Sequence, residues 1–118
     1  MNRSPALIKR SDWAREKDQW VGRFEGGAVG TDVTVLFFSS DRVGSGPKLH
    51  LHPYDELFII RQGRARFTVG DRSFEAEAGQ IVFGPADVPH KFENLGPGRL
   101  ETTDIHLNDR FIQTDLEG

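Results

Sequence analysis

The 118-residue sequence contains no cysteine, which excludes disulfide bonds, thiolate metal sites and cysteine nucleophiles. It also has no basic run: acidic and basic residues are interspersed, and the formal net charge is -3. Neither nucleic acid nor an anionic membrane is therefore an expected partner. No apolar stretch is long enough to span a bilayer, and the one near the N-terminus is too short for a signal peptide. These absences predict a cytoplasmic protein whose metal ligands, if it binds a metal, are nitrogen and oxygen atoms.

Glycine and phenylalanine are abundant, with 13 and 9 residues, and predict many turns between short aromatic strands. From Trp20 onward the apolar residues form short runs without helical periodicity. These runs are residues 20–25, 32–39, 48–52, 56–61, 65–69, 73–77, 80–83, 90–93 and 99–107. A Gly70-Asp71 pair between the fifth and sixth runs predicts a tight hairpin, because glycine supplies the positive φ that such turns need. We predict an all-β sandwich or barrel over residues 20–118, preceded by a polar N-terminal arm of residues 1–19.

Two histidines, His50 and His52, lie two positions apart in the third run. Strand side chains alternate between faces, so both imidazole rings project from the same side and are able to converge on one point. A Pro-Tyr-Asp corner at residues 53–55 follows, and a chain that folds back there brings Glu56 beside the two rings. On its own, the histidine pair fits a solvated edge strand better than a metal site.

The surroundings of these histidines resemble the two sequence motifs of the cupin superfamily. The first motif is matched at every fixed position, by Gly44, His50, His52, Glu56 and Gly63. The second is matched at all positions but one, by Gly79, Pro85, His90 and Asn94, with Asp87 where the family has glycine. Aspartate tolerates positive φ better than most residues, so we expect this turn to survive. Residues 64–78 between the motifs have the short length typical of compact single-domain members.

The resemblance implies a cupin jelly-roll β-barrel with one divalent metal ion held inside it by His50, His52, Glu56 and His90. His90 also fits a core histidine that hydrogen-bonds a backbone carbonyl, but three of the four histidines occupy motif positions. Imidazole and carboxylate donors suit divalent Fe, Mn, Ni, Co and Zn, and the ligands do not distinguish among these ions. A six-coordinate ion on four side chains keeps about two positions open for water or substrate.

Strand alternation also predicts the cavity wall beside the ion. If Glu56 and His90 face inward, the next inward positions on their strands are aromatic or aliphatic. The predicted substrate pocket consists of Phe37, Tyr54, Phe58, Ile60, Phe83 and Phe92. Such a cavity suits a small, partly apolar organic molecule that offers oxygen to the metal.

The fourth histidine, His106, lies between Ile105 and Leu107. If these two apolar residues face the core, His106 points outward; if it points inward, it could support the metal ligands or carry protons. The outward orientation buries two apolar side chains, so alternation favours it. His106 and Glu56 are the two candidate catalytic residues.

The same alternation turns Leu57 and Ile59 outward, and the run from Val33 to Phe38 is apolar on both faces. Strands that are hydrophobic on both sides are normally buried on both sides. We therefore predict a homodimer, in keeping with the pairing that is common among cupins, with a contribution to the cover from Trp20 and the arm.

Three functions fit this interpretation. The favoured one is a metal-dependent, dioxygenase-like enzyme that acts on a small oxygen-chelating molecule. The first alternative is a non-catalytic module that binds or senses a small ligand. The second is a metal-dependent isomerase or epimerase of a carbonyl or sugar, which needs a separate base such as His106 or Glu56.

Overall fold

The computed structural model describes residues 3–117 and consists almost entirely of antiparallel strands. The elements are α1 (Arg10–Trp13), β1 (Gly22–Glu25), a 3₁₀ turn (Gly26–Val29), β2 (Thr34–Ser40), β3 (His50–Leu51), β4 (Glu56–Gln62), β5 (Arg64–Val69), β6 (Arg72–Glu77), β7 (Ile81–Gly84), β8 (His90–Asn94), β9 (Leu100–His106) and β10 (Thr114–Asp115). Each of the nine apolar runs overlaps one strand, with bounds that agree to within about two residues, and β10 is the one strand of residues 3–117 that was not predicted. The all-β prediction is confirmed.

Two five-stranded sheets form the jelly roll. The first has the order β1-β2-β9-β4-β7, and the second has the order β10-β3-β8-β5-β6. Chain neighbours β5 and β6 are joined by the predicted hairpin, in which Val69 pairs with Arg72 and Gly70 has a φ of 59°. Most other pairings join distant segments, so the fold brings both ends of the chain to one barrel.

The core lies between the sheets because apolar residues alternate with polar ones along the strands. On β4, Glu56, Phe58 and Ile60 are buried while the residues between them are half-buried, and on β5 Ala65, Phe67 and Val69 point inward. The core cluster consists of Phe58, Ile60, Ala65, Phe67, Val69, Ala76, Val82, Phe92 and Leu100. This apolar layer fills the barrel beside the histidine cluster.

The N-terminal arm packs on the outer face of β2. The ring of Trp13 stacks on Phe37 with 3.6 Å between centroids, and Trp20 meets Phe37 edge-on at 5.1 Å. Ala14 forms a bridge with Gly22, which fixes the arm to β1. The outer side of β2 is thus covered by the chain's own arm. The domain boundary after residue 19 remains a prediction.

The outer face of β4 and β7 has no such cover within residues 3–117. Leu57 pairs with Phe83, and Ile59 pairs with Ile81. Phe83 and Ile81 are 52% and 60% exposed, whereas Leu57 and Ile59 are half-buried. We call these four residues the outer apolar patch. No helix in the described part of the chain is long and apolar enough to cross a membrane.

Candidate metal centre

Five polar side chains converge between the two sheets at one end of the barrel. His50 lies on β3 and is paired with His90 at the start of β8, while Glu56 at the start of β4 is paired with His106 at the end of β9. His52 follows β3 directly. Because these positions lie at the ends of their strands, the fold places side chains from both sheets at the same end.

The carboxylate of Glu56 lies at the centre of this group. Its Oε1 atom is 3.1 Å from His52 Nε2 and 3.2 Å from His90 Nε2, and its Oε2 atom is 2.9 Å from His106 Nε2. Donor atoms of His50, His52 and His90 also lie within 4.8 Å of one another. All five residues are buried, with Glu56 only 2% exposed. The structure therefore places the four predicted ligands and His106 in two groups that share His52: His50, His52 and His90, and His52, Glu56 and His106.

Backbone carbonyls orient two of the rings. His50 Nδ1 lies 2.6 Å from the carbonyl oxygen of Lys48, and His52 Nδ1 lies 2.7 Å from that of Ile112. When Nδ1 donates its proton to a carbonyl, the lone pair of Nε2 is left free to bind a metal. Ile112 lies in the segment after β9, so the C-terminal part of the chain helps to build the site.

The outward orientation predicted for His106 is wrong. His106 points into the barrel and is 1% exposed, while Leu107 is largely exposed. Its Nδ1 atom lies 2.6 Å from the Tyr54 hydroxyl, which is also hydrogen-bonded to the backbone of Ile112. The prediction failed because β9 is a central strand between β2 and β4. Its inner face carries the polar residues that the site uses.

Close approach at one glycine makes room for the His90 ring. Gly84 lies opposite Glu56 on β7, and a Cβ atom there would stand 3.3 Å from His90 Nδ1 and 3.2 Å from the Phe58 ring.

At the one position that departs from the second motif, Asp87 has a φ of 63°, as predicted for the residue that replaces the motif glycine. Its N–H donates a 2.8 Å hydrogen bond to the His52 carbonyl.

The protonation states at the site suit a cation. Burial alone raises the pKa of Glu56, but the imidazoles of His106, His52 and His90 outweigh it and hold that pKa well below its usual range. Burial lowers the pKa of both His50 and His106. An ionised Glu56 carboxylate beside neutral His50 and His106 imidazoles suits the binding of a divalent metal, because these groups have few protons to release.

Several buried polar atoms at the site have no hydrogen-bond partner, and a metal ion would satisfy some of them. Five buried side-chain atoms of residues 3–117 lack a hydrogen-bond partner of acceptable geometry: His52 Nε2, Glu56 Oε1, His90 Nδ1, His90 Nε2 and Asp104 Oδ1. The contacts of about 3 Å between Glu56 Oε1 and the histidines are thus close but poorly aligned. Buried polar atoms are nearly always paired, and an ion between these donors would satisfy three of the five. The donor set fits a borderline divalent ion.

A cavity of about 550 Å³ reaches the site from the side of His50 and His106. Its lining also includes Leu36, Phe38, Phe92, Asp104 and Phe111. Of the six predicted pocket residues, Phe37 and Phe92 line this cavity, and the Tyr54 ring stacks on His52 with centroids 5.1 Å apart. Arg15, Arg23 and Gln113 also line the cavity, so its wall combines apolar and polar side chains.

Three predicted pocket residues, Phe58, Ile60 and Phe83, do not line this cavity. Phe58 and Ile60 are buried in the core, although the Phe58 ring still contacts His90 edge-on with centroids 5.1 Å apart. Phe37 borders the cavity, but its ring packs against Trp13 of the arm and against Trp20. Phe83 belongs to the outer apolar patch, because it pairs with the outward residue Leu57. Placing Phe83 inside the pocket was therefore wrong, since its position on β7 faces outward.

The cavity residues that sequence reasoning missed include Leu36, Phe38, Asp104 and Phe111. Leu36, Phe38 and Asp104 lie on the same face of the sheet as His106. An inward orientation of His106 would therefore have indicated these three residues as well. Phe111 lies in an irregular segment, where periodicity carries no signal. Asp104 is buried, and this burial, followed by the negative charge of Glu56, raises its pKa well above the usual range.

The fold and the site together define a jelly-roll barrel with a histidine and carboxylate centre that could hold a metal. The sequence model of the cupin domain matches residues 38–106, which include both motifs. The chain belongs to the cupin family, and the resemblance carried by its motifs is confirmed.

Two uncharacterized proteins are similar over part of the chain. One, from Methanocaldococcus jannaschii, is 38% identical over 55 residues, which are 46% of this chain and 44% of that protein. The other, from Streptomyces coelicolor, is 39% identical over 44 residues, which are 37% of this chain and 42% of that protein. The chain thus matches less than half the length of these relatives.

Solved structures of oxalate decarboxylase are similar in fold. A Bacillus subtilis structure studied for its Mn(II) centres has a TM-score of 0.75 and 24% identity, over 80% of this chain and 27% of that one. Another, studied for substrate binding and reaction specificity, has a TM-score of 0.73 and 22% identity, over 85% and 29%. At these identities the comparison establishes the shared barrel.

Proposed function

We propose that this cupin is a metal-dependent enzyme that acts on a small, partly apolar molecule bound in the adjoining cavity. One observation carries the proposal: three of the clustered donor atoms, on His52, Glu56 and His90, are buried without a hydrogen-bond partner. A protein that used these residues only for its fold would lose stability by leaving them unpaired.

In this proposal His50, His52, Glu56 and His90 hold one divalent ion. When bound, the ion supplies a Lewis acid or, if it is redox-active, a centre for oxygen chemistry. The protein's own residues orient the ligand set through Lys48 and Ile112 and exclude water with the apolar cavity wall. By donor type the ion is one of Fe, Mn, Ni, Co and Zn, and the Mn(II) centres of B. subtilis oxalate decarboxylase support testing manganese early.

An oxygen-using, dioxygenase-like reaction is the favoured chemistry, because no mobile acid or base is needed beyond the metal ligands. A proton-shifting isomerase is the second candidate, and the orientation of His106 favours it. His106 borders the cavity and joins the Tyr54 hydroxyl to Glu56, as a proton-transfer group would. Ligand binding without turnover is the outcome expected of a binding module.

The metal site is tested by elemental analysis of protein purified without chelator, followed by titration with each candidate ion. Glu56→Gln should lower the metal content sharply, because it removes the one charged ligand. Glu101→Gln is the matched control: Glu101 is also a buried carboxylate, but it pairs with Arg61 outside the cluster. Equal metal content in both variants would contradict the site.

Turnover is tested with the same metal-loaded preparations. The substrates are enols, diketones, catechols, sugar acids and oxalate, and the readouts are oxygen consumption and product analysis. Conversion that Glu56→Gln abolishes and Glu101→Gln retains supports the enzyme. Binding of these compounds without conversion under any ion would instead favour the binding module.

We further propose a homodimer in which a second copy covers the outer apolar patch. Exposed Ile81 and Phe83 continue the apolar surface of Leu57 and Ile59, and a groove of about 520 Å³ beside them includes Phe74. A specific interface of this kind buries at least about 1,000 Å² in total. A monomeric mass at micromolar concentration would contradict this proposal.

A further inference from the structure

Asp104 is a buried carboxyl group that the metal ligands do not explain. It lies on β9, two positions before His106 and on the same inner face, and is 5% exposed. Its residue partners on the neighbouring strands are Leu36 and Phe58, which are both apolar. Neither offers the side-chain donor that a buried carboxyl group normally has.

Only one oxygen of Asp104 has a partner. Thr102 Oγ1 donates a 3.3 Å hydrogen bond to Oδ2, while Oδ1 has no hydrogen-bond partner. An unpaired buried acceptor destabilises the folded protein, so a residue with a structural role alone would be paired or replaced by an apolar one. Oδ1 is therefore an acceptor for which the fold supplies no donor.

The position of Asp104 connects this free acceptor to the cavity. Asp104 lines the same 550 Å³ cavity as His50 and His106. It belongs to neither of the groups whose donor atoms lie within 4.8 Å of one another, which are His50, His52, His90 and His52, Glu56, His106. The Asp104 side chain thus borders the cavity from a place outside the candidate metal centre.

We propose that Asp104 Oδ1 accepts a hydrogen bond from a hydroxyl group of the molecule that occupies the cavity. The inference rests on the proposed function, and it narrows the ligand to a class: a compound with one oxygen for the metal, a separate hydroxyl group and an apolar body. A hydroxyl group fits better than an ammonium group, because Arg15 and Arg23 line the same cavity and repel a further cation. The apolar side chains of Leu36, Phe38, Phe92 and Phe111 in the same wall also make a charge costly to desolvate.

The test measures the affinities of paired ligands that differ by one hydroxyl group. Each pair is measured on the native protein and on Asp104 variants with and without an acceptor oxygen. The probes are mandelate against phenylacetate and catechol against phenol, measured by calorimetry on manganese-loaded protein. Asp104→Leu keeps the approximate side-chain size and removes the acceptor, whereas Asp104→Asn retains an acceptor oxygen. For at least one pair, the native protein should bind the ligand with the additional hydroxyl group at least about tenfold more tightly than the ligand without it. This is the difference expected for one hydrogen bond to a buried, polarised group.

In Asp104→Leu this preference should disappear, and in Asp104→Asn it should persist at least in part. A preference of equal size in Asp104→Leu would mean that the metal binds the hydroxyl group, and would overturn the proposal. No preference for either pair in the native protein would overturn it as well.

Two further measurements distinguish a ligand contact of Asp104 from a structural role and from failure of the metal site. Without ligand, Asp104→Leu should melt within about 2 °C of the native protein or above it, because it removes an unpaired polar group; a large decrease would indicate a structural role and overturn the proposal. Metal content is determined for each preparation. Absence of metal from the native protein contradicts the proposed function, whereas bound metal without hydroxyl discrimination contradicts the role of Asp104 alone.

Discussion

The Tyr54 hydroxyl connects the candidate metal centre to the C-terminal segment, and its removal should lower stability measurably. Its oxygen lies 2.6 Å from His106 Nδ1, and it both accepts a 3.2 Å hydrogen bond from the Ile112 N–H and can donate one to the Ile112 carbonyl. Tyr54→Phe removes these contacts but keeps the ring that stacks on His52. The substitution therefore separates hydrogen bonding from packing.

The expected magnitude follows from the groups left without partners. His106 Nδ1 and the Ile112 N–H each lose a hydrogen bond in a part-buried or buried place, and each loss costs about 1–1.5 kcal/mol. The free energy of unfolding should fall by about 2–3 kcal/mol. For a chain of this length, that corresponds to a decrease in Tm of about 8–12 °C.

The assay is thermal and urea unfolding followed by circular dichroism, with metal removed by a chelator so that ion binding does not add to stability. Tyr54→Leu serves as the comparison, since it also removes the ring and should destabilise further. In metal-loaded protein, Tyr54→Phe should weaken ion affinity about tenfold or more, because His106 and Ile112 support Glu56 and His52. A loss of less than about 0.5 kcal/mol would refute the reasoning, because it would mean that the hydroxyl contacts contribute nothing net.

Three other substitutions test separate parts of the molecule. His52→Ala should lower the bound metal sharply, yet unfolding should remain cooperative because the core is apolar and independent of the ion; loss of folding with loss of metal would make the site structural. Phe67→Ala, at a side chain that is 0% exposed, should cost about 3–5 kcal/mol in urea unfolding, against less than about 1 kcal/mol for Phe74→Ala on the paired strand. Phe83→Lys should convert the proposed homodimer to monomers in light scattering, whereas Thr68→Lys on the other sheet should not.

The strands and the predicted ligand positions could be read from the sequence because both depend on local alternation. His50, His52 and Glu56 lie within seven residues: a two-residue period places the two histidines on one face, and the corner at residues 53–55 brings Glu56 back beside them. The hairpin at Gly70 and the turn at Asp87 could be predicted for a related reason, since positive φ restricts which residues are tolerated. In each case the determining interactions are near in the sequence.

Strand β10 and the supporting contacts of Ile112 could not be predicted in the same way. The Ile112 carbonyl reaches His52 and Tyr54 across about 60 residues of chain, from an irregular segment with no periodic pattern. Only the closed barrel brings this segment to the metal centre. The sequence therefore indicated the candidate ligands but not the residues that orient them.

The error at His106 shows why alternation alone does not fix which face of a strand is inside. Burying Ile105 and Leu107 is favourable if one face of β9 is exposed to solvent and the other faces the core. However, β9 is a central strand, and its register pairs His106 with both Thr34 and Glu56. Glu56 is predicted to face inward, and directly paired residues share a face, so the pairing of β4 with β9 forces His106 inward too. Thr102, Asp104 and His106 then form one polar row on the inner face of β9. That row is favourable only when each polar group finds a partner, and Asp104 Oδ1 is the one in the row that the protein itself leaves without one.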